Sequence, residues 1–144
     1  MFSKSCQYAF QSVIYIALHS QSGACVGLKV IADHQEIPNH FLSKILQILV
    51  RNNILISTKG PNGGFALKKS SNNIRLMEVV EIIDGHGIFD RCGIGLKECS
   101  DTNPCPIHFD YKQIKEKIKQ LLSEKTLGDL IKDIEMGKSI VSYR

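Results

Sequence analysis

The chain has no tryptophan, only four prolines, and no apolar run near the roughly 20 residues that a membrane-spanning helix needs. It also lacks a C-x-x-C pair and a G-x-x-x-x-G-K-[ST] loop. The missing run argues against a helical membrane protein. The missing motifs argue against a thioredoxin-like thiol enzyme and against a P-loop nucleotide site. Near the start, Gln7, Gln11 and Ser12 interrupt the apolar residues, and Val13 to Leu18 is too short for the core of a secretion signal. The expected location is therefore the cytoplasm, with no membrane partner.

What is present is an ordinary soluble composition, 43% hydrophobic and 22% charged. A length of 144 residues suffices for one domain with a real core. A formal net charge of +4 permits nucleic-acid contact without requiring it. Five cysteines, an odd number, argue for reduced thiols with metal or redox chemistry rather than a disulfide scaffold.

Ser3 or Ser5 can cap a first helix that ends in the stretch from Ser20 to Gly23, with Ala9, Val13, Ile16 and Ala17 inward. A short helix follows, with Leu28, Ile31 and Ala32 inward. A third opens at Pro38, which suits a first helical turn, and carries the stripe Leu42, Ile45, Leu46 and Leu49. This pair reads as a helix-turn-helix. The run ILISTKGPNGGFALKKS then gives two short strands around turn residues, with Ile54 and Ile56 expected on one face and Leu55 and Ser57 on the other. A hairpin directly after a helix-turn-helix is a wing. Leu76, Val79, Val80 and Ile83 mark another helix, stopped by Gly85. Beyond the next loop, Tyr111, Ile114, Ile118 and Leu121 form a narrow stripe on a lysine-rich helix, suited to packing against a partner helix. A short helix in TLGDLIKDIEMG and a loose tail from Lys138 complete the chain. The expected fold is mainly α with a small β-hairpin wing: a winged helix-turn-helix over residues 1–85, a cysteine-rich loop over 86–108, and a dimerisation helix with tail over 109–144.

That loop is where the chemistry concentrates. Its spacing, C-x6-C-x5-C-x2-H, runs from Cys92 through Cys99 and Cys105 to His108. The intervals are wider than the tight knuckles of structural zinc sites, and thiolates are the usual holders of iron–sulfur clusters, in which histidine can replace cysteine. A glycine-rich, polar loop offers nowhere to bury three incidental cysteines. Pro104 and Pro106 stiffen the last approach. Pro106 is placed to start a helix, which puts Cys105 near its cap and His108 in its first turn, where free N–H groups favour an anionic group. Cys6 and Cys25 read as packing residues, with Cys6 a minor candidate for a ligand given across a dimer.

Taken together, these residues resemble the IscR/NsrR-type (Rrf) winged-helix regulators of bacteria. The resemblance rests on SKSCQYAFQSVIYIA, VIADHQEIPNHFLSKILQILVRNNIL, STKGPNGGFAL, LMEVVEIIDG, the cysteine loop and TLGDLI. It implies a cytoplasmic homodimer bound to double-stranded DNA at a pseudo-palindromic operator and not an enzyme, with crossing C-terminal helices and an iron–sulfur cluster near their interface. By position it implies Cys92, Cys99 and Cys105 as ligands and His108 as the fourth ligand of a two-iron two-sulfur cluster. The first cysteine interval is one residue longer than in the iron–sulfur-assembly regulator, so a four-iron four-sulfur cluster stays open. Nitric-oxide-sensing relatives take an acidic ligand from the first helix; here Cys6, Gln7 and Tyr8 offer none. The resemblance also gives the DNA-facing candidates: Asn39, His40, Ser43, Lys44 and Gln47 on the recognition helix, and Lys59, Gly60, Pro61, Gly63 and Gly64 at the wing. Lys59 stands where relatives often carry arginine, and Glu36 where they often carry glycine. Expected roles are repression and redox sensing. The alternative is a winged-helix regulator whose loop holds zinc or nothing and which senses thiol oxidation, a small molecule or a protein partner.

Overall fold

Sixteen residues, Lys4–His19, form helix α1, and Ser3 is its cap: the hydroxyl accepts from the Cys6 amide. The computed structural model describes residues 2–20 and 22–141. Every third or fourth residue of α1 is apolar, and Ala9, Val13, Ile16 and Ala17 are buried as the spacing predicts. Helices α2 (Leu28–Gln35) and α3 (Asn39–Arg51) follow. Between them Glu36 closes α2 in the left-handed conformation, φ 55° and ψ 40°. That is the backbone a glycine would take freely, which fits the position's expected oddity. Pro38 is the cap of α3 rather than its first residue, and the stripe Leu42, Ile45, Leu46 and Leu49 is fully inside.

Strands β1 (Leu55–Thr58) and β2 (Gly64–Leu67) pair antiparallel, Leu55 opposite Leu67 and Thr58 opposite Gly64. The alternation expected here is not observed. Ile54 and Leu55 are both buried, and Ile56 is 41% exposed. Ile54 belongs to the exit from α3, where its amide donates to the Leu49 carbonyl. From Ile56 onward β1 runs out past the core into water. A backbone bridge joins Val26, just before α2, to Phe65 of β2, each amide donating to the other's carbonyl at 2.8 Å. This gives the wing a third partner. It also explains Gly64: with φ 143°, a Cβ there would overlap the Val26 carbonyl.

Helix α4 (Leu76–Asp84) ends at Gly85, φ 83°, as expected. Helix α5 spans His108–Glu124 and α6 spans Leu127–Glu135. Two apolar clusters hold these together. The larger joins α1, α2, α3 and the wing, and Leu127 and Ile131 of α6 return into it. The segment expected to serve dimerisation thus also closes the core of α1, α2, α3 and the wing. The smaller gathers Cys6, Leu76, Val80, Phe89 and Leu122, and seats α5 on α4. Thr126 and Asp129 cap α6 reciprocally, a capping box. Among the described residues, no helix is long and apolar enough to cross a membrane. The final residues of the tail expected from Lys138, 142–144, lie outside the described residues.

Candidate functional site

The cysteine loop leaves α4 at Gly85, makes one 3-10 turn over His86–Phe89 that buries Phe89, and returns to α5. Asp90 to Ile107 form no helix or strand beyond one backbone bridge between Ser100 and Asn103. The loop is ordered by its own turns instead. The Gly95 amide donates to the Cys92 carbonyl, and the Lys115 ammonium reaches back from α5 to the Arg91 carbonyl at 3.1 Å. Gly93 lies flat on the Tyr111 ring, and a Cβ there would come within 2.8 Å of it. The stripe residue Tyr111 is therefore a floor for the loop.

These turns bring the three sulfurs together. The Sγ atoms of Cys92, Cys99 and Cys105 all lie within 4.8 Å of one another, and Cys92 and Cys105 are 3.7 Å apart. That spacing is about the edge of a tetrahedron drawn around one metal with roughly 2.3 Å bonds to sulfur. His108 joins from the first residue of α5, its Nδ1 3.0 Å from the Cys99 sulfur. The helix starts two residues later than its proline suggests, with Ile107 as cap, so Cys105 precedes the cap and only His108 sits in the first turn. Pro106 belongs to the turn in which the His108 amide donates to the Cys105 carbonyl.

The electrostatics differ sulfur by sulfur. The amides of Ile94 and Leu96 are directed at Cys92 and, together with the neighbouring thiols, bring it down to about 7. Burial pushes the Cys105 thiol up, only partly offset by the Ile107 amide. A crevice of about 20 Å³ lies between the four side chains and Asp90, Tyr111 and Lys115. A cleft of about 390 Å³, lined by Gly87, Asp90, Arg91 and Leu96 among others, opens beside Cys92 and Cys99. Three soft thiol donors and one imidazole suit iron or zinc and do not suit magnesium or calcium. The donor set fits a thiolate-held cluster.

Two residues that the sequence reading passed over complete the site. The His108 Nε2 is 2.8 Å from the Asp101 carboxylate, and the Lys112 ammonium donates to both Asp101 oxygens at 2.9 and 2.7 Å. Lys112 first, then His108, hold the Asp101 carboxyl below its usual range. The readable signal was the i, i+4 spacing of His108 and Lys112 on one helix face, with an acid two residues after Cys99. Cys6, by contrast, is wholly buried in the smaller cluster, and burial and then Asp84 push its thiol up to about 12. Its minor candidacy as a ligand ends there.

The second set of candidates lies on α3 and the wing. Asn39, His40, Lys44 and Gln47 are exposed along α3, and Ser43 is half-buried, 3.3 Å from the Gln47 amide nitrogen. Lys59, Gly60 and Pro61 stand exposed at the wing tip. Gly63 and Gly64 are half-buried, and the turn itself requires them, since a Cβ at Gly63 would overlap the Thr58 carbonyl.

A family model described as "Rrf2: Iron-dependent Transcriptional regulator" matches residues 2–133. An HTH-type transcriptional regulator of Aquifex aeolicus is 30% identical over 133 residues, 91% of each chain. The HTH-type transcriptional regulator IscR of Pectobacterium carotovorum is 31% identical over 130 residues, covering 90% of this chain and 78% of the relative. Among solved structures, CymR of B. subtilis, a global cysteine regulator, superposes with TM-score 0.74 at 20% identity, over 92% of this chain and 96% of that one. IscR of T. potens gives 0.73 at 22%, over 99% and 94%. These likenesses share the winged-helix fold described above.

Proposed function

The chain belongs to the Rrf2 family of transcriptional regulators, and on that premise we propose that it is a cytoplasmic homodimer whose hold on double-stranded DNA is set by an iron–sulfur cluster. The observation that carries this reading is the convergence of Cys92, Cys99 and Cys105 with His108 at the root of α5. When bound, the cluster supplies an iron- and redox-responsive crosslink between loop and helix. The residues do the rest. Cys92 offers a thiolate near neutrality. Cys99 and His108 bring a sulfur and Nδ1 to 3.0 Å of each other, and Cys105 anchors the site from its buried position.

Helix α5 connects this site to a partner. Ile107, Ile114 and Leu121 are 40%, 52% and 51% exposed and stand seven residues apart. Ile118 and Leu122 of the same helix turn inward to α4. A seven-residue seam left in water supports pairing with the same helix of a second copy. Each subunit then offers α3 to a major groove, through Asn39, His40, Ser43, Lys44 and Gln47, and Lys59, Gly60, Pro61, Gly63 and Gly64 to the adjacent backbone or minor groove. Two such heads related by a two-fold axis read a pseudo-palindromic operator. Occupation of the loop changes how residues 86–108 pack beside α5, and with them the spacing of the heads, so the protein acts as a repressor whose affinity follows the state of the site.

A second reading is a single zinc ion held by the same four side chains. The 3.7 Å separation of the Cys92 and Cys105 sulfurs, about the edge of a tetrahedron around one ion, favours it. Protein purified without oxygen separates the two. Brown colour with bound iron and sulfide supports the cluster; a colourless protein with one zinc per chain supports the ion. Equal cluster content in a His108→Ala protein removes the histidine from the ligand set.

A further inference from the structure

We infer that Asp101 is the positioning residue for His108, and that Lys112 holds Asp101 in that role. The inference deepens the proposed function, because it rests on reading His108 as a ligand. A histidine ligand must present a lone pair, and which nitrogen carries it is decided by the partner of the other. His108 is buried to 13% side-chain exposure, with Nε2 2.8 Å from Asp101 Oδ1 and Nδ1 3.0 Å from the Cys99 sulfur. A carboxylate only accepts, so it places the imidazole proton on Nε2 and leaves the Nδ1 lone pair toward the thiols. Carboxylate contact on the far nitrogen also makes the near one a better donor.

The surroundings give the contact its specificity. Asp101 comes from the loop, two residues after Cys99, and His108 from α5, so their bond ties two ligand-bearing segments together. Lys112, one turn along α5 from His108, clamps both carboxylate oxygens and fixes the rotamer that reaches Nε2. The plain alternative is an exposed Asp101–Lys112 ion pair with His108 beside it by chance. Such a pair contributes little to stability and nothing to a metal site.

The two are told apart with the full chain purified without oxygen and three variants, Asp101→Ala, Asp101→Glu and Lys112→Met. Asp101→Ala is expected to lose iron to a ferrous chelator about 10-fold faster than the wild type, a typical cost of removing such a partner. Its reduction potential is expected to rise, because the imidazole becomes a weaker donor and a negative charge is gone. Asp101→Glu should recover part of both effects, and Lys112→Met should lose iron at a rate between those of the wild type and Asp101→Ala. In the metal-free, reduced protein, long-range proton–nitrogen spectra should show His108 protonated on Nε2 in the wild type and on a mixture of nitrogens in Asp101→Ala. A wild-type His108 protonated on Nδ1 overturns the inference, as does an Asp101→Ala protein with unchanged tautomer and potential. An Asp101→Ala chain that takes up no cluster is judged on the tautomer, which needs none. Failure of the cluster reading has a different signature: wild-type protein free of iron and sulfide.

Discussion

Cys6 and Cys92 carry the same thiol into opposite surroundings. Cys6 is enclosed by Leu76, Val80, Phe89 and Leu122, faces Asp84, and is pushed up to about 12. Cys92 sits in a loop without regular structure, receives the amides of Ile94 and Leu96, and is brought down to about 7. Cys6 lies in the first turn of α1, where its own amide is taken by the Ser3 hydroxyl, and its thiol is left among apolar side chains beside the Asp84 carboxylate. An irregular turn has amides to spare. The cysteine loop is irregular because its task is to aim backbone N–H groups and sulfurs inward, and a helix or strand would aim them along its own axis.

The widest separation between the two regions should come from substitution. Cys92→Ala is expected to abolish bound iron or zinc while the melting temperature of the metal-free protein shifts by only a few degrees, because Cys92 belongs to neither apolar cluster. Leu46→Ala, in the larger cluster, should instead cost about 2–5 kcal/mol in urea unfolding. Metal analysis and denaturation on both variants check the contrast; a Cys92→Ala chain that unfolds would erase it.

The thiols should also answer pH with opposite signs in the metal-free, reduced protein. Cys6 has a folded value above the ordinary 9.0, so its contribution is whole below pH 9 and is lost as pH climbs toward 12. Cys92 has a folded value below 9.0, so its contribution is present above pH 9 and is lost as pH falls through about 7. Iodoacetamide labelling followed by mass spectrometry should therefore give a half-maximal rate near pH 7 at Cys92, with Cys6 unlabelled up to pH 9.

Smaller effects are expected at the proposed DNA face. Lys59→Ala should weaken binding to all duplexes alike and lower the salt dependence of the affinity by about one counterion, as measured in a salt titration. A loss confined to one sequence would make Lys59 a base reader. The mildest change is Glu36→Gly, which releases a left-handed residue and should stabilise the protein by about 1 kcal/mol in urea unfolding.

Local rules made the frame legible. Ser3 and Gly85 each mark the end or start of a helix where the structure has one, and the α3 stripe is buried as spaced. The three cysteines stood out because a polar, glycine-rich loop promises little apolar packing for thiols. The rest depended on distant chain segments. Leu55 is inside and Ile56 outside because β1 leaves the core, a matter of length that alternation does not encode. The Val26–Phe65 bridge and the return of Leu127 to the core pair residues far apart in sequence. Asp101 and Lys112 are ordinary surface types, and only the placement of His108 between Asp101 and Cys99 gives them a purpose.

The Val26–Phe65 bridge has a mechanical consequence. It pins the strand of the wing to the segment that enters α2, and α2 is one short turn from α3. Helix and wing are thus a caliper with its opening locked. In the proposed homodimer, operators whose halves stand too near or too far apart would be accommodated only by pivoting one caliper against the other.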